Sequence, residues 1–364
     1  MMEGYILGGP NIAFRVFKKK FSRLYGKKEL DNFLFSFRKN FIQEKDIEKI
    51  KKWKANCLRL PFNCRILKEK EGRRYIDTLL GWAGKYNLKV ILDMHAGCAP
   101  QNQDWHSDSL GKALLWKDKR KQEETIRLWE KIASWYKGNE TVAGYDLLNE
   151  PVLNKRELPQ LVRYYRKLIK TIRGIDSRHK IFLEGNLWAQ EIDFLKNLIS
   201  DSGIWVSIHT YQPLDFVFNF VPHLRYPSKE VGSKKNLKRY LEKYASFSRR
   251  YKVNILVGEI GVNFRDNFYG EIRWLEDMLR LFREFGFSWT YWTYKAVAGS
   301  VFPDGVFQYR QNPAWVKREG PEYGWENFYR LWPKEKRKIA ASWRTENFDL
   351  NQPLLQTIKK FLVN

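Results

Sequence analysis

Cysteine is scarce in this chain of 364 residues, with three in all: Cys57, Cys64 and Cys98. An odd number without framework spacing excludes a disulfide-stapled scaffold, so the fold must rest on a buried core. No apolar run is long enough to cross a bilayer as a helix, and no transmembrane segment is expected. Gly8, Gly9 and Pro10 interrupt the one apolar stretch near the start. No signal peptide is read there, and a cytoplasmic protein is expected, or a secreted one if a leader was removed. No glycine-rich turn of the G-x-G-x-x-G kind follows the first candidate strand, which argues against a doubly wound dinucleotide-binding sheet. No low-complexity linker or repeat divides the chain, so residues 1–364 read as a single domain.

Acidic residues are in deficit, 41 against 66 basic ones, for a net charge of +25. Such a balance suits acidic partners. The charge is scattered in short groups, however, such as Lys18-Lys19-Lys20 and Lys234-Lys235, without a basic tail. Lysine on solvated helix faces explains it, and no specific nucleic-acid partner is expected. Abundant Lys and Glu with only 4 Met and 3 Cys is a composition compatible with heat adaptation.

What is plentiful is apolar and aromatic material: 43% hydrophobic residues, 16% aromatic, 15 Trp. That is enough to bury a large core, with rings to spare for a groove where flat faces stack on sugars or bases. The patterning alternates. Tyr5 to Ile12 reads as a first strand, followed by a basic, aromatic connector from Phe14 to Phe41. Further strands are expected at Cys57–Leu60 (ending at Pro61), Lys89–Met94, Val142–Leu148, Lys180–Leu183, Trp205–Ile208, Asn254–Gly258 and Ser288–Thr293. Between them lie helical periods, among them Asp46–Lys54, Arg74–Tyr86, Lys119–Tyr136, Leu158–Ile175, Lys235–Arg250 and Gly270–Phe285, with Leu354–Leu362 closing the chain. Strands alternating with amphipathic helices imply right-handed crossovers and a parallel sheet. Eight such units in one chain predict an α/β fold, a single (β/α)8 TIM barrel with extended βα loops.

The polar residues that follow the apolar runs are the functional signal. They are Arg59 after the second strand, His95 after the third, and Asn149 and Glu150 after the fourth. His209 and Tyr211 follow the sixth, Glu259 the seventh, and Trp292 lies in the eighth. Each alone reads as an ordinary paired or solvated side chain. Together they fall at one rim of a barrel, the end where active sites are built. Two carboxylates facing one bowl suit acid/base chemistry on a glycosidic bond, provided their surroundings push the two apart in acidity. Tyr211 and Arg59 near Glu259 favour an ionised group and make it the nucleophile; Glu150, preceded by the amide of Asn149, becomes the acid/base. A separation of roughly 5–5.5 Å between the two carboxyls is then expected.

The set of motifs resembles glycoside hydrolase family 5, the cellulase-type retaining β-glycosidases. It comprises Arg59 in Leu-Arg-Leu-Pro, His95 in Asp-Met-His, Asn149-Glu150-Pro151, His209-Thr210-Tyr211, Glu259 in Gly-Glu-Ile-Gly and Trp292 in Tyr-Trp-Thr. The resemblance implies catalysis by Glu150 and Glu259. It also implies substrate binding by Arg59, His95, Asn149, His209, Tyr211 and Trp292, a covalent intermediate on Glu259, and no metal or organic cofactor. The partner it implies is a β-linked oligo- or polysaccharide, bound by a monomer. β-1,4-Glucan leads, followed by mannan, β-1,3-glucan or a glycolipid headgroup.

Two stretches depart from the simple family pattern, the polar loop from Gly97 to Ser109 and the aromatic segment from Phe302 to Trp343. Both could narrow the groove. His95, Cys98 and His106 raise a metal-site reading, but their spacing matches no standard zinc pattern. A non-catalytic glycan-binding or nucleic-acid-binding barrel is the alternative of another class.

Overall fold

The computed structural model describes residues 12–297, 301–309 and 324–362. The elements, in chain order, are α1 (Phe14–Phe41), α2 (Glu44–Lys52), β1 (Cys57–Asn63), α3 (Gly72–Lys85), β2 (Lys89–Ala96), α4 (Lys119–Tyr136) and β3 (Val142–Asp146). Next come α5 (Leu158–Arg173), β4 (Lys180–Glu184), β5 (Ile204–His209), α6 (Lys234–Tyr251), β6 (Ile255–Ile260), α7 (Glu271–Phe285) and β7 (Ser288–Tyr291). The chain ends with β8 (Lys295–Val297), β9 (Phe307–Tyr309), α8 (Gly324–Ser342), β10 (Asp349–Leu350) and α9 (Gln352–Leu362).

Strands β1 to β7 form one parallel sheet in sequential order. With the helices alternating around it, the sheet makes a nearly closed barrel. The strand expected at Tyr5–Ile12 lies outside the described residues but for Ile12. The expected second strand is thus β1, and it does not stop at Pro61. It runs through to Asn63, with Pro61 opposite Asp93 of β2. Among the described strands β1 is laddered on its β2 side alone, and a proline is tolerated where its nitrogen faces away from the ladder.

Side chains alternate across a strand, and here the alternation makes layers. Ile91, Phe182 and Leu256 form a small apolar cluster with Cys57 and Trp205 packed against it. It is separate from the large core between strands and helices, whose fully buried rings include Trp129, Trp274, Tyr145 and Tyr165. Two residues further along the same strand faces come Arg59, Asp93 and Glu184. The barrel interior therefore turns from apolar to charged over one pleat, at the carboxyl ends of the strands.

The connector Phe14–Phe41 is helical, but not as one rod. Gly26 sits at φ 79°, ψ 165° and interrupts it. Phe17 and Phe21 on one side of that break lie 5.2 and 4.9 Å, ring centroid to centroid, from Phe33 on the other, so the two halves fold back on each other. Trp332 and Trp343 close this second core. Lys295 ties the layer to the barrel. Its buried amine donates to the carbonyls of Phe41 and Trp343 and to the Thr345 hydroxyl.

Gly26→Ala tests the turn. A Cβ there would meet nothing within 4 Å, so the cost is torsional. A loss of about 1–3 kcal/mol is expected for a backbone conformation that only glycine adopts readily. Equilibrium urea unfolding measures it. An unchanged midpoint would show that the reversal does not depend on this torsion.

Candidate active site

The charged layer is organised by Arg59. Its Nε donates to Asp146 Oδ2 at 3.0 Å, and its Nη1 to Glu259 Oε1 at 2.8 Å. Nη2 donates to Asn149 Oδ1 and Glu184 Oε1, each at 2.9 Å, and lies 3.1 Å from Asp93 Oδ2. The side chain is 3% exposed. One guanidinium cannot neutralise four carboxylates, so burial should drive protons onto some of them. Burial pushes the Asp93 carboxyl up to about 7 and the Asp146 carboxyl well above its usual range, with the Glu184 charge adding to the rise at Asp146. Asp93 and Asp146 each also keep one buried oxygen, Oδ1, without a hydrogen-bond donor to compensate a charge. Glu184 goes the other way. Burial opposes its ionisation, but the His209 charge and hydrogen bond, Arg59 and the Glu150 amide outweigh it.

The two glutamates face each other beside this cluster. An oxygen of Glu150, one of Glu259 and a nitrogen of His209 all lie within 4.8 Å of one another. Glu259 is gripped at both oxygens, by Arg59 and by the Tyr211 hydroxyl, which donates to Oε2 at 2.8 Å. His209 Nδ1 is 2.7 Å from Glu150 Oε1 and 3.6 Å from Glu259 Oε2, and its Nε2 is 3.3 Å from Glu184 Oε1. Burial would keep this imidazole neutral, yet three carboxylates raise it well above its ordinary value. Gly258 leaves room for the ring, since a Cβ there would stand 3.0 Å from His209 Nε2 and 2.7 Å from Ser207 Oγ.

The backbone at Glu150 is strained, with φ at 48°. Its neighbours fix it there. The Glu150 amide donates to Glu184 Oε2 at 2.6 Å, and its carbonyl accepts from Asn102 Nδ2 at 2.8 Å. The Asn149 carbonyl accepts from Gln101 Nε2 at 2.7 Å. The Asn149 side-chain Nδ2 is buried without a hydrogen-bond partner. On the other side of Glu150, His106 Nε2 lies 3.1 Å from Oε2. Burial opposes ionisation of Glu150; as hydrogen-bond donors, His106 and His209 would hold it well below the usual carboxylate range.

The site opens into a cavity of about 460 Å³ bounded by Trp105, Trp188, Phe218, Phe220, Trp292 and Phe302. Trp292 lies flat against His95, rings 5.3 Å apart and 7° from parallel. Burial holds His95 down at about 3, and its Nδ1 pairs with Asp93 at 2.7 Å. Trp188 is presented by three consecutive left-handed residues, Leu187, Trp188 and Ala189, and its Nε1 donates to Asp104 Oδ2 at 2.7 Å.

All eight residues singled out from the sequence thus meet within one network of contacts or line this cavity. Sequence reasoning missed four. Asp93 lies on its strand, ahead of where the polar endings were sought; Glu184 directly follows the strand expected at Lys180–Leu183 and was not singled out. Asp146 was read inside an apolar run. His106 was weighed as a metal ligand with His95 and Cys98; its ring stands 5.8 Å from that of His95, and its Nε2 lies 3.1 Å from Glu150 Oε2. Asp93, Asp146 and Glu184 converge closely enough to suggest a cation site, but the Arg59 guanidinium contacts all three.

The chain was compared with known proteins. The sequence model of the family described as Cellulase (glycosyl hydrolase family 5) matches residues 24–297. A beta-xylosidase of Phanerodontia chrysosporium is 27% identical over 383 aligned residues, covering 99% of this chain and 76% of the relative. Endoglucanase C of Acetivibrio thermocellus is 27% identical over 307 residues, covering 72% of this chain and 86% of the relative. Among solved structures, Thermotoga maritima Cel5A in complex with mannotriose superposes with a TM-score of 0.62 at 19% identity, covering 87% of this chain and 90% of that one. At that identity the likeness speaks for the fold.

The proton assignment around Arg59 makes a stability prediction. Asp146→Asn imitates the protonated acid and is expected to change stability by less than about 1 kcal/mol at pH 7, whereas Arg59→Met leaves buried charges unpaired and costs about 3–5 kcal/mol. The Asp93 carboxyl sits higher in the folded chain than in the unfolded one. The folded state therefore keeps a proton that the unfolded state has lost, and the stability this contributes is full below about pH 4 and gone above about pH 7. Asp93→Asn should remove that fall from the pH dependence of unfolding free energy measured by denaturant titration. A variant curve parallel to the parent's would refute it.

Proposed function

We propose that this chain, which belongs to the cellulase family, glycosyl hydrolase family 5, cleaves β-linked glucans with retention, Glu259 as nucleophile and Glu150 as acid/base. That the chain is a glycoside hydrolase follows from the family and its relatives. The roles and the substrate are the proposal. The observation that carries it is the close approach of the two carboxylates, an oxygen of one within 4.8 Å of an oxygen of the other. An inverting pair stands roughly 6.5–9.5 Å apart to admit water; a retaining pair is closer, because one member attacks the sugar itself.

The surroundings support the same division. Glu259 is oriented at both oxygens by Arg59 and Tyr211, as an attacking group must be. Glu150 shares a 2.7 Å hydrogen bond with the imidazole of His209, which places a transferable proton beside it. In the first step a Glu259 oxygen bonds to the anomeric carbon while the glycosidic bond breaks, and the leaving oxygen takes the proton of Glu150. In the second, Glu150 takes a proton from water, which displaces Glu259. The face of Trp292 supplies a flat platform for the sugar ring.

β-1,4-Glucan is the leading substrate, in keeping with the endoglucanase relative. One observation favours a second reading, release of terminal units from short chains. Trp105, Phe302, Phe218 and Phe220 form a continuous wall of edge-on rings, centroids 5.3–5.7 Å apart, beside the cavity. The similarity to the beta-xylosidase also runs over nearly the whole chain.

Reducing-sugar release from soluble β-glucans, mannan and xylan tests the proposal, with cello-oligosaccharides followed by chromatography. Glu259→Gln should abolish release, and Glu150→Gln should lower kcat by about 10²–10⁴-fold on unactivated substrates. Proton NMR of the first product should show the β-anomer. A first-formed α-anomer would exclude retention. A monosaccharide as the sole early product would select terminal action.

A further inference from the structure

The loop after β2 carries a residue whose contact with the reacting carboxyl is unexplained by the division of roles above. His106 Nε2 lies 3.1 Å from Glu150 Oε2. Whether that nitrogen gives or accepts a hydrogen is decided by Asn102. The Asn102 side chain has its orientation fixed at both ends. Oδ1 accepts from the Asp104 amide at 2.9 Å, and Nδ2 donates to the Glu150 carbonyl at 2.8 Å. The second hydrogen of Nδ2 points to His106 Nε2, 2.8 Å away. A donor aimed at Nε2 requires a lone pair there, so the imidazole carries its hydrogen on Nδ1.

We propose that His106 is a positioning residue for the acid/base: held by Asn102 as the Nδ1–H tautomer, it presents no donor to Oε2 and so favours the protonated form of Glu150. An ionised Oε2 would face the electron-rich Nε2 at 3.1 Å without a hydrogen between them, which is repulsive; a neutral carboxyl escapes that repulsion. The other oxygen, Oε1, belongs to His209. The two imidazoles therefore act in opposite senses on one carboxyl. His209 draws it toward the carboxylate, and His106 disfavours a charge on Oε2. The other ionisable groups around the pair are Glu259, within 4.8 Å of the Glu150 carboxyl, Glu184 at the Glu150 amide, and His95, whose ring is 5.8 Å from that of His106. Asp104 is held by Trp188 Nε1 at one carboxyl oxygen.

The inference rests on Glu150 being the acid/base, and the experiments separate the two. The full-length protein labelled with ¹⁵N-histidine contains five imidazoles. Long-range ¹H–¹⁵N spectra at neutral pH, with His106 assigned by its loss in His106→Ala, report the tautomer whether or not a substrate is turned over. The expected result is a protonated Nδ1 and a bare Nε2; an imidazolium or an Nε2–H form overturns the proposal. The second readout is the pH profile of kcat/KM on 4-nitrophenyl β-cellobioside. His106→Ala should move the alkaline limb down by about one pH unit, because the free-enzyme acid loses its proton more readily. His106→Gln, whose carbonyl can present a lone pair to Oε2 in place of Nε2, should restore part of it. An upward shift, or a uniform fall in kcat at unchanged limbs, overturns the proposal. Glu150→Ala with and without azide checks the underlying assignment. If azide fails to form a glycosyl azide and slow turnover is equal for good and poor leaving groups, the role given to Glu150 fails, whatever the tautomer of His106.

Discussion

A single guanidinium surrounded by four carboxyl groups is the constraint on which the rest of the site depends. Arg59 rises from β1 and reaches Asp93 on β2, Asp146 on β3, Glu184 on β4 and Glu259 on β6, all at 2.8–3.1 Å. Strands distant in sequence are thereby tied at one level of the barrel. Charge balance then dictates protonation. With burial this complete, a second uncompensated anion is far more costly than a bound proton, and the carboxyls pushed toward the protonated form are Asp93 and Asp146. Glu184 remains ionised because it faces His209 as well as Arg59. The cluster is thus a scaffold of fixed charge rather than a set of independent ion pairs, and Glu259 takes its place in the bowl by binding to the edge of it.

Around that scaffold the rim is strained. Glu150 at φ 48° is followed by a proline, which further restricts its backbone. Leu187, Trp188 and Ala189 make a left-handed turn without a glycine among them. Left-handed residues with a Cβ cost roughly 1–2 kcal/mol each. They persist here because hydrogen bonds over-determine them: Asn102 and Gln101 hold the chain on either side of Glu150, and Asn186 is bonded to both backbone groups of Leu153. The polar loop after β2 is what supplies Gln101, Asn102, Asp104 and His106. Its length is the means by which the strained glutamate is held.

Much of this was legible in the sequence, and the physical reason is periodicity. Parallel strands buried on both faces read as apolar runs, and their abrupt polar endings gave Arg59, His95, Asn149, Glu150, His209 and Glu259 as candidates before any coordinate. The same rule hid what lay one pleat earlier. Asp93 and Asp146 sit within the strands, where a charge is expected only if it is paired, and the pairing with Arg59 is a tertiary fact; Glu184 stood at a strand ending, but its place in the same cluster is likewise tertiary. Pro61 was read as an end because a proline breaks a ladder, yet on a strand laddered to one side it breaks nothing. The segment Phe14–Phe41 resisted reading because its aromatic residues form no single stripe. The chain reverses at Gly26 and buries them on two helical faces, against Trp332 and Trp343, some 300 residues away. His106 carried no signal in its spacing; its meaning comes from Asn102, four residues earlier but across a loop.

The position of His209 between both glutamates gives the proposed chemistry a natural order. Its imidazolium is sustained by three carboxylates, one of them Glu259, 3.6 Å away. On the proposed assignment, attack by Glu259 converts that carboxylate into a neutral ester. The field that keeps the proton on His209 weakens at that moment, and Glu150 lies 2.7 Å away along the hydrogen bond. Proton supply at Glu150 thus rises as the leaving oxygen needs it. Having given its proton to the leaving oxygen, Glu150 is the base that the second step requires; as water displaces the ester its proton passes to Glu150, the Glu259 charge returns, and His209 regains its hold on a proton, which restores the starting state. The two carboxyls need not hold fixed and opposite acidities throughout the cycle, because a shared imidazole passes the change at one to the other.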